Sequence, residues 1–213
     1  MGETDAAPGG VRLADLVARV RALPGRPMVG ICGAPGAGKS TLAERLVTAL
    51  GDEAVLIGMD GYHLAQTELT RLGRTERKGA PDTFDAAGYV HLLRRVRSQP
   101  DETVYAPEFR REIEEPIAGA IPVHPDHRYV ITEGNYLLLD TPPWHQVRTL
   151  LTETWFLAPH ETLRHDRLIA RHQAFGRSLD EARDRTLGSD ERNATLINAT
   201  HKAADLVLSE VLD

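Results

Sequence analysis

The stretch Gly33-Ala34-Pro35-Gly36-Ala37-Gly38-Lys39-Ser40 constrains this chain more than any other, because it matches the spacing G-x-x-x-x-G-K-[ST] in full. Glycines there let the backbone turn so that successive N–H groups converge on phosphate oxygens. A helix opening near Lys39 would aim its positive end at the same anion. Lys39 then reaches the β- and γ-phosphates, the Ser40 hydroxyl is placed to ligate Mg²⁺, and Thr41 comes within reach of the α-phosphate. The spacing carries weight only between a strand and a helix. Both are present: Met28, Val29, Ile31 and Cys32 form a short apolar run before it, and Leu42, Leu46, Val47 and Leu50 recur at helical spacing after it. The expected ligands are ATP and Mg²⁺, with Gly33, Ala34, Pro35, Gly36, Ala37, Gly38, Lys39, Ser40 and Thr41 as the nucleotide site.

The rest of the chain supplies the sheet that such a loop needs. Further apolar runs at 54–57, 128–132, 154–157 and 205–208 read as strands. Helical patterns fall at 11–23, 84–97, 143–151, 160–175 and 179–200. Strands that are continuously apolar and alternate with helices predict a parallel sheet covered on both faces, an α/β fold. The segment 61–81 is polar and basic, with Arg71, Arg74, Arg77 and Lys78, and is expected to be functional or mobile. Lys78 and Arg77 are expected to be solvated, the alternative being contact with an anionic acceptor. Trp144 and Trp155 are expected to anchor packing.

At 213 residues one domain is expected, with a tail and amphipathic helix over 1–27 and the main body over 28–213. The net charge of −6 argues against nucleic acid as a partner. One cysteine excludes an intrachain disulfide and fits a cytoplasmic location. No apolar run is long enough to span a membrane, and the first ten residues lack the pattern of a secretory leader. None of the histidine pairs has a convincing zinc-ligand spacing.

A phosphate-binding loop serves kinases, GTPases and motors alike. No Asn-Lys-x-Asp guanine-reading element occurs, which weighs against a GTPase. Asp60 follows the second expected strand, so it falls at the same sheet edge as the loop, where its carboxylate could accept a hydroxyl proton. His63, three residues on, is a candidate for hydrogen bonding the acceptor. Arg164, Arg167 and Arg171 share one helical face, with Arg177 at its exit, and arginines so placed neutralise charge on a transferring phosphoryl group. These features point to phosphoryl transfer onto a small-molecule hydroxyl. The alternatives are an ATP-hydrolysing regulator or chaperone-like protein without an acceptor, and a degenerate nucleotide-binding module.

With residues 33–41, Met59–His63, 105–109, 131–136, the Arg164–Arg177 pattern and 203–205, the chain resembles the phosphoribulokinase/uridine kinase family, which includes bacterial type I pantothenate kinase. The stretches 77–85 and 114–119 resemble a nucleoside/nucleotide kinase-like branch, some members of which are called fructose-transport kinases. The resemblance implies a three-layer fold with the five strands ordered 2-3-1-4-5 and a helical lid near 164–190. It implies Asp60 as catalytic base beside Lys39, Arg167 and Arg171 as lid arginines, and Arg177 closing the lid or flanking the adenine. It implies Glu133 as an acidic residue near Mg²⁺, acting through water. Tyr62, His63, Glu108, Arg110 and Asn193 would line the acceptor site. Where uridine kinase carries Tyr-Asp-Phe, this chain reads Pro107-Glu108-Phe109, and it is shorter than type I pantothenate kinase. A nucleoside, a pantothenate-like compound and a sugar all stay open as acceptors. Relatives are often oligomeric, so a homodimer is also open.

Overall fold

The computed structural model describes residues 10–98 and 101–213; the tail expected over 1–9 lies outside them. Helix α1 (Leu13–Ala22) precedes the central strand β2 (Met28–Gly33), and α2 (Lys39–Leu50) leads to β3 (Ala54–Gly58). After α3 (Gln66–Arg71) and α4 (Ala86–Ser98) come β4 (Val104–Arg110) and β5 (Glu115–Val123). Strand β6 (Tyr129–Gly134), α5 (His145–Leu150) and β7 (Glu153–Leu157) follow. Helices α6 (Glu161–Ala174), α7 (Leu179–Arg185) and α8 (Glu191–Asn198) then lead to β8 (Leu206–Leu208). A two-residue strand β1 (Val11–Arg12) pairs in parallel with β9 (Val211–Leu212), so the start of the first expected helix is extended instead.

The main sheet has five parallel strands in the order β3-β6-β2-β7-β8. Counted over the five strands read from the sequence, that is the expected 2-3-1-4-5. Every residue of β2, β6 and β7 is buried, because helices cover both faces. The period-2 alternation of strands divides the core. Met28, Cys32 and Phe156 face α4 and α5, where Tyr89, Leu93, Val147 and Trp144 pack. Val29, Ile31 and Trp155 face α1 and α2, where Leu16, Val20, Leu42 and Leu46 pack. Both tryptophans are buried, as expected. The buried Thr132 hydroxyl is satisfied on both sides, meeting the Tyr89 hydroxyl and donating to the Ile57 carbonyl, each at 2.6 Å.

Two features depart from the sequence pattern. The helix expected over 179–200 is divided by a π-helical turn at Thr186–Asp190 that contains Gly188, separating α7 from α8. The antiparallel hairpin β4–β5 was not read as strands, since Pro107, Pro116, Pro122 and Gly119 interrupt it. Prolines are tolerated there because the hairpin is a two-stranded sheet with free edges. The polar segment 61–81 forms short helical turns and α3.

The hairpin lies close against the turn that carries Asp60. A Cβ on Gly61 would sit 2.5 Å from the Pro107 carbonyl oxygen. Gly61→Ala should therefore lever the hairpin outward, costing about 1–3 kcal/mol of stability. Chemical denaturation would register that loss, and a variant as stable as wild type would show that the close approach is unimportant.

Candidate active site

Strand β2 runs into the glycine loop, and Gly38 at the N-cap of α2 is left-handed, with φ 96°. Gly36 has φ 79°, and a Cβ there would lie 2.7 Å from both the Arg164 carbonyl oxygen and the Leu168 side chain. Glycine at 36 thus meets both a backbone and a packing demand: α6 rests directly on the loop. Lys39 is buried, and its ammonium donates to the Ala34 carbonyl at 3.1 Å. Ser40 lies beside the Glu133 carboxylate at the end of β6 and favours its charged form. Burial pushes the Glu133 carboxyl well above the usual carboxylate range, and repulsion from Asp60 adds to this. Burial also pulls the Lys39 ammonium down, an effect opposed by Glu133, Cys32 and Asp60.

Two cavities, each of about 630 Å³, meet at this cluster. One is lined by Gly36–Leu42, Leu163, Arg167 and Leu208–Val211. The other is lined by Asp60, His63, Lys78, Phe84, Phe109, Glu133 and Asn193, among others. Lys39, Ser40, Arg111 and Arg171 line both. A nucleotide on the loop and an acceptor beside Asp60 would therefore meet at those four residues.

Most of the site residues expected from sequence converge here. Asp60 accepts from Arg111 Nη2 at 3.0 Å. His63 Nδ1 lies 2.8 Å from the Asp60 carbonyl oxygen, and its ring packs against Phe84 and Phe109 with centroids 4.0 and 4.6 Å away. Burial depresses His63, so it is neutral: Nδ1–H donates to that carbonyl and Nε2 is an acceptor. Asn193 Nδ2 donates to the Gly79 carbonyl at 3.4 Å. Arg167 donates to the Ala37 carbonyl at 3.3 Å, and burial pulls Arg171 down, with repulsion from Arg111 as the next cause.

Five residues sit elsewhere than expected. Glu108 and Arg110 pair with each other at 3.2 Å on the exposed side of β4, outside both cavities. Val104 and Ala106 are buried, so plain alternation would turn 108 and 110 inward as well. The ladder shifts register between Ala106 and Glu108, and this β-bulge inverts the parity, bringing Phe109 and Arg111 to the cavity. Tyr62 packs 5.3 Å from the Tyr89 ring and lines neither cavity. Arg177 lies in the Asp60 cavity, not in the loop cavity where an adenine-flanking residue was expected. It donates to His172 Nδ1 at 2.8 Å, and His172 Nε2 meets Asp190 at 2.8 Å. Arg164, expected to share the phosphoryl-facing helix face, is instead 1% exposed. It donates to Glu161, Glu191 and the Pro35 carbonyl, tying α6 and α8 to the loop. Sequence reasoning missed Arg111, and a strand assignment with a proline bulge at 107 was the signal that would have found it.

Comparison with known proteins gives the family. The family model for the phosphoribulokinase/uridine kinase family matches residues 28–213. The chain belongs to that family. A Schizosaccharomyces pombe protein with a provisional uridine kinase name is 36% identical over 197 residues, covering 87% of this chain and 84% of that one. A crystal structure from Silicibacter sp. TM1040, provisionally named a fructose transport system kinase, is 38% identical with a TM-score of 0.85, covering 93% of this chain and 99% of that one. A pantothenate kinase from Mycolicibacterium vanbaalenii is 30% identical over 129 residues, 56% of this chain and 40% of that one. The chain is thus a P-loop kinase whose relatives carry names for different acceptors. Among the described residues, no helix is long and apolar enough to cross a membrane.

The buried carboxylate yields a prediction. A Glu133 raised above its ordinary 4.5 contributes stability that is present below that value and lost as pH rises through its folded-state pKa. At pH 8 the ligand-free protein carries the charge at a cost, so Glu133→Gln should raise its stability by on the order of 1–3 kcal/mol, with little change near pH 4. Melting curves of both proteins across pH would check this, and a Glu133→Gln variant less stable at pH 8 would refute it.

Proposed function

We propose that the protein transfers the γ-phosphate of ATP to a hydroxyl of a small molecule seated beside Asp60. The observation that carries this is the shared wall: Lys39, Ser40, Arg111 and Arg171 line both the loop cavity and the Asp60 cavity. The loop amides and Lys39 hold the phosphates, and α6, the part of a lid over about 164–190 that Arg164 fastens to the loop, presents Arg167 and Arg171 to the phosphoryl group. Asp60 accepts the hydroxyl proton as the acceptor oxygen bonds to the γ-phosphorus and the bond to the β-γ bridging oxygen breaks, releasing ADP. His63 and Asn193 orient the acceptor, and Arg177 closes its far side through His172. The closed lid keeps water from taking the acceptor's place.

The donor set fits Mg²⁺. Ser40 and Glu133 offer hard oxygens at the loop, and a carboxylate raised by burial is one that a divalent cation would restore to its charged form. Those residues would hold the ion, Glu133 through water, and the ion supplies charge neutralisation on the phosphates.

The acceptor is a nucleoside, a pantothenate-like compound or a sugar, as the family and its named relatives support; a cytoplasmic enzyme, alone or as a homodimer, agrees with the composition. ADP release from ATP and Mg²⁺ should be stimulated by a member of a nucleoside, pantothenate, pentose and hexose panel. Asp60→Asn should lower that stimulated rate by about 10²–10⁴-fold while leaving ATP binding intact. Turnover indifferent to every acceptor and to Asp60→Asn would favour the ATP-hydrolysing regulator instead.

A further inference from the structure

The hairpin that the sequence pattern concealed and the polar segment 61–81 together present two cations to the acceptor side of the site. Lys78 Nζ lies 5.5 Å from the Phe109 ring centroid, and the Arg111 guanidinium lies 5.8 Å from the same centroid. The Lys78 side chain is only 12% exposed, yet its near partners are the Glu114 carbonyl at 2.6 Å and the Glu114 carboxylate at 3.8 Å. Arg111 spends one nitrogen on Asp60 at 3.0 Å. Both side chains therefore keep N–H groups for a ligand, and both line the Asp60 cavity. The contact with Asp60 has a second consequence. The guanidinium meets only Oδ2, so Oδ1 stays open to an alcohol while Arg111 is held beside it.

We propose that the acceptor is an anionic alcohol, its carboxylate or phosphate group received by Arg111 and Lys78 at the Phe109 ring. Arg111, anchored on Asp60 Oδ2, thereby sets the acceptor's hydroxyl beside Oδ1. This rests on the kinase reading above and narrows it to one substrate class. A guanidinium matches the geometry of either acid group through paired N–H donors, while an ammonium adds charge without a fixed direction. A neutral acceptor would leave the spare N–H groups of Arg111 and Lys78 without a counter-charge. Recognition of the acid group and placement of the hydroxyl are then one event.

The test is ADP release and KM measured with acceptor pairs that differ only in the acid group. Pantothenate with pantothenol, glycerate with glycerol, ribose 5-phosphate with ribose, and uridine 5′-monophosphate with uridine serve as probes. Wild type should prefer an acid member by about 100-fold or more in kcat/KM. The carboxylate and phosphate pairs identify which acid group is read. Arg111→Gln and Lys78→Gln should each shrink that preference at least about tenfold, mainly through the acceptor's KM, with the KM for ATP nearly unchanged. Arg111→Lys should recover part of it, which a merely structural role would not produce. If a neutral member is phosphorylated as well as its acid, or better, the proposal is overturned and the kinase reading stands. If none of the acids is turned over, the proposal is overturned too. In that case an ATP hydrolysis rate unchanged in Asp60→Asn shows that the kinase reading has failed with it.

Discussion

Charge buried at one edge of the sheet governs this structure. Lys39 and Glu133 are buried where β2 and β6 end, with Ser40 and Asp60 beside them at the mouth of the two cavities. Desolvation pushes the carboxyl of Glu133 up and the ammonium of Lys39 down, so neither is at ease ionised without further partners. A buried cluster of that kind is a poor way to stabilise a fold. It is a good way to bind something highly charged, because the ligand brings the counter-charges that the protein lacks. The chain gives up stability at this edge and retains it in the two apolar faces of the sheet, where Trp155, Tyr89 and the leucines of α2 and α4 pack.

Everything around the cluster positions something over it. Gly36 lets α6 lie on the loop, and Arg164 fastens that helix to Glu191 of α8 and to the loop carbonyl of Pro35. Arg167 and Arg171, one and two turns farther along α6, are thereby held at the loop cavity, Arg171 at the point where the two cavities meet. On the opposite side, Gly61 lets the β4–β5 hairpin approach Asp60, and the bulge after Ala106 turns Arg111 toward it. A fixed clamp behind the loop and a pair of movable arginines in front of it are different uses of one residue type, set by burial.

The sequence made the sheet legible because its strands are buried on both faces and read as unbroken apolar runs; even the strand order came correctly from the family resemblance. The loop was legible because phosphate binding leaves little freedom at Gly33, Gly38, Lys39 and Ser40. Asp60, His63, Glu133, Asn193 and Arg171 were reachable from their places at strand ends or in motifs. The hairpin was not, since a proline-rich pair of half-exposed strands has neither an apolar run nor a clean alternation. Its bulge then inverted which side chains face the cavity, so Glu108 and Arg110 were expected where Phe109 and Arg111 stand. Arg164 was misplaced for a related reason. Helical spacing shows which residues share a face, but not that one of them is buried under a neighbouring helix.

The central claim is that this edge transfers a phosphoryl group between two cavities and does not merely hydrolyse ATP. Phosphorus NMR of a reaction with ATP, Mg²⁺ and an acceptor tests it most directly, because it separates an organic phosphomonoester from inorganic phosphate. The account predicts that phosphomonoester appears in step with ADP, with inorganic phosphate a minor product, and that both signals vanish in Asp60→Asn. Inorganic phosphate accumulating in step with ADP, at the same rate with and without acceptor, would contradict it.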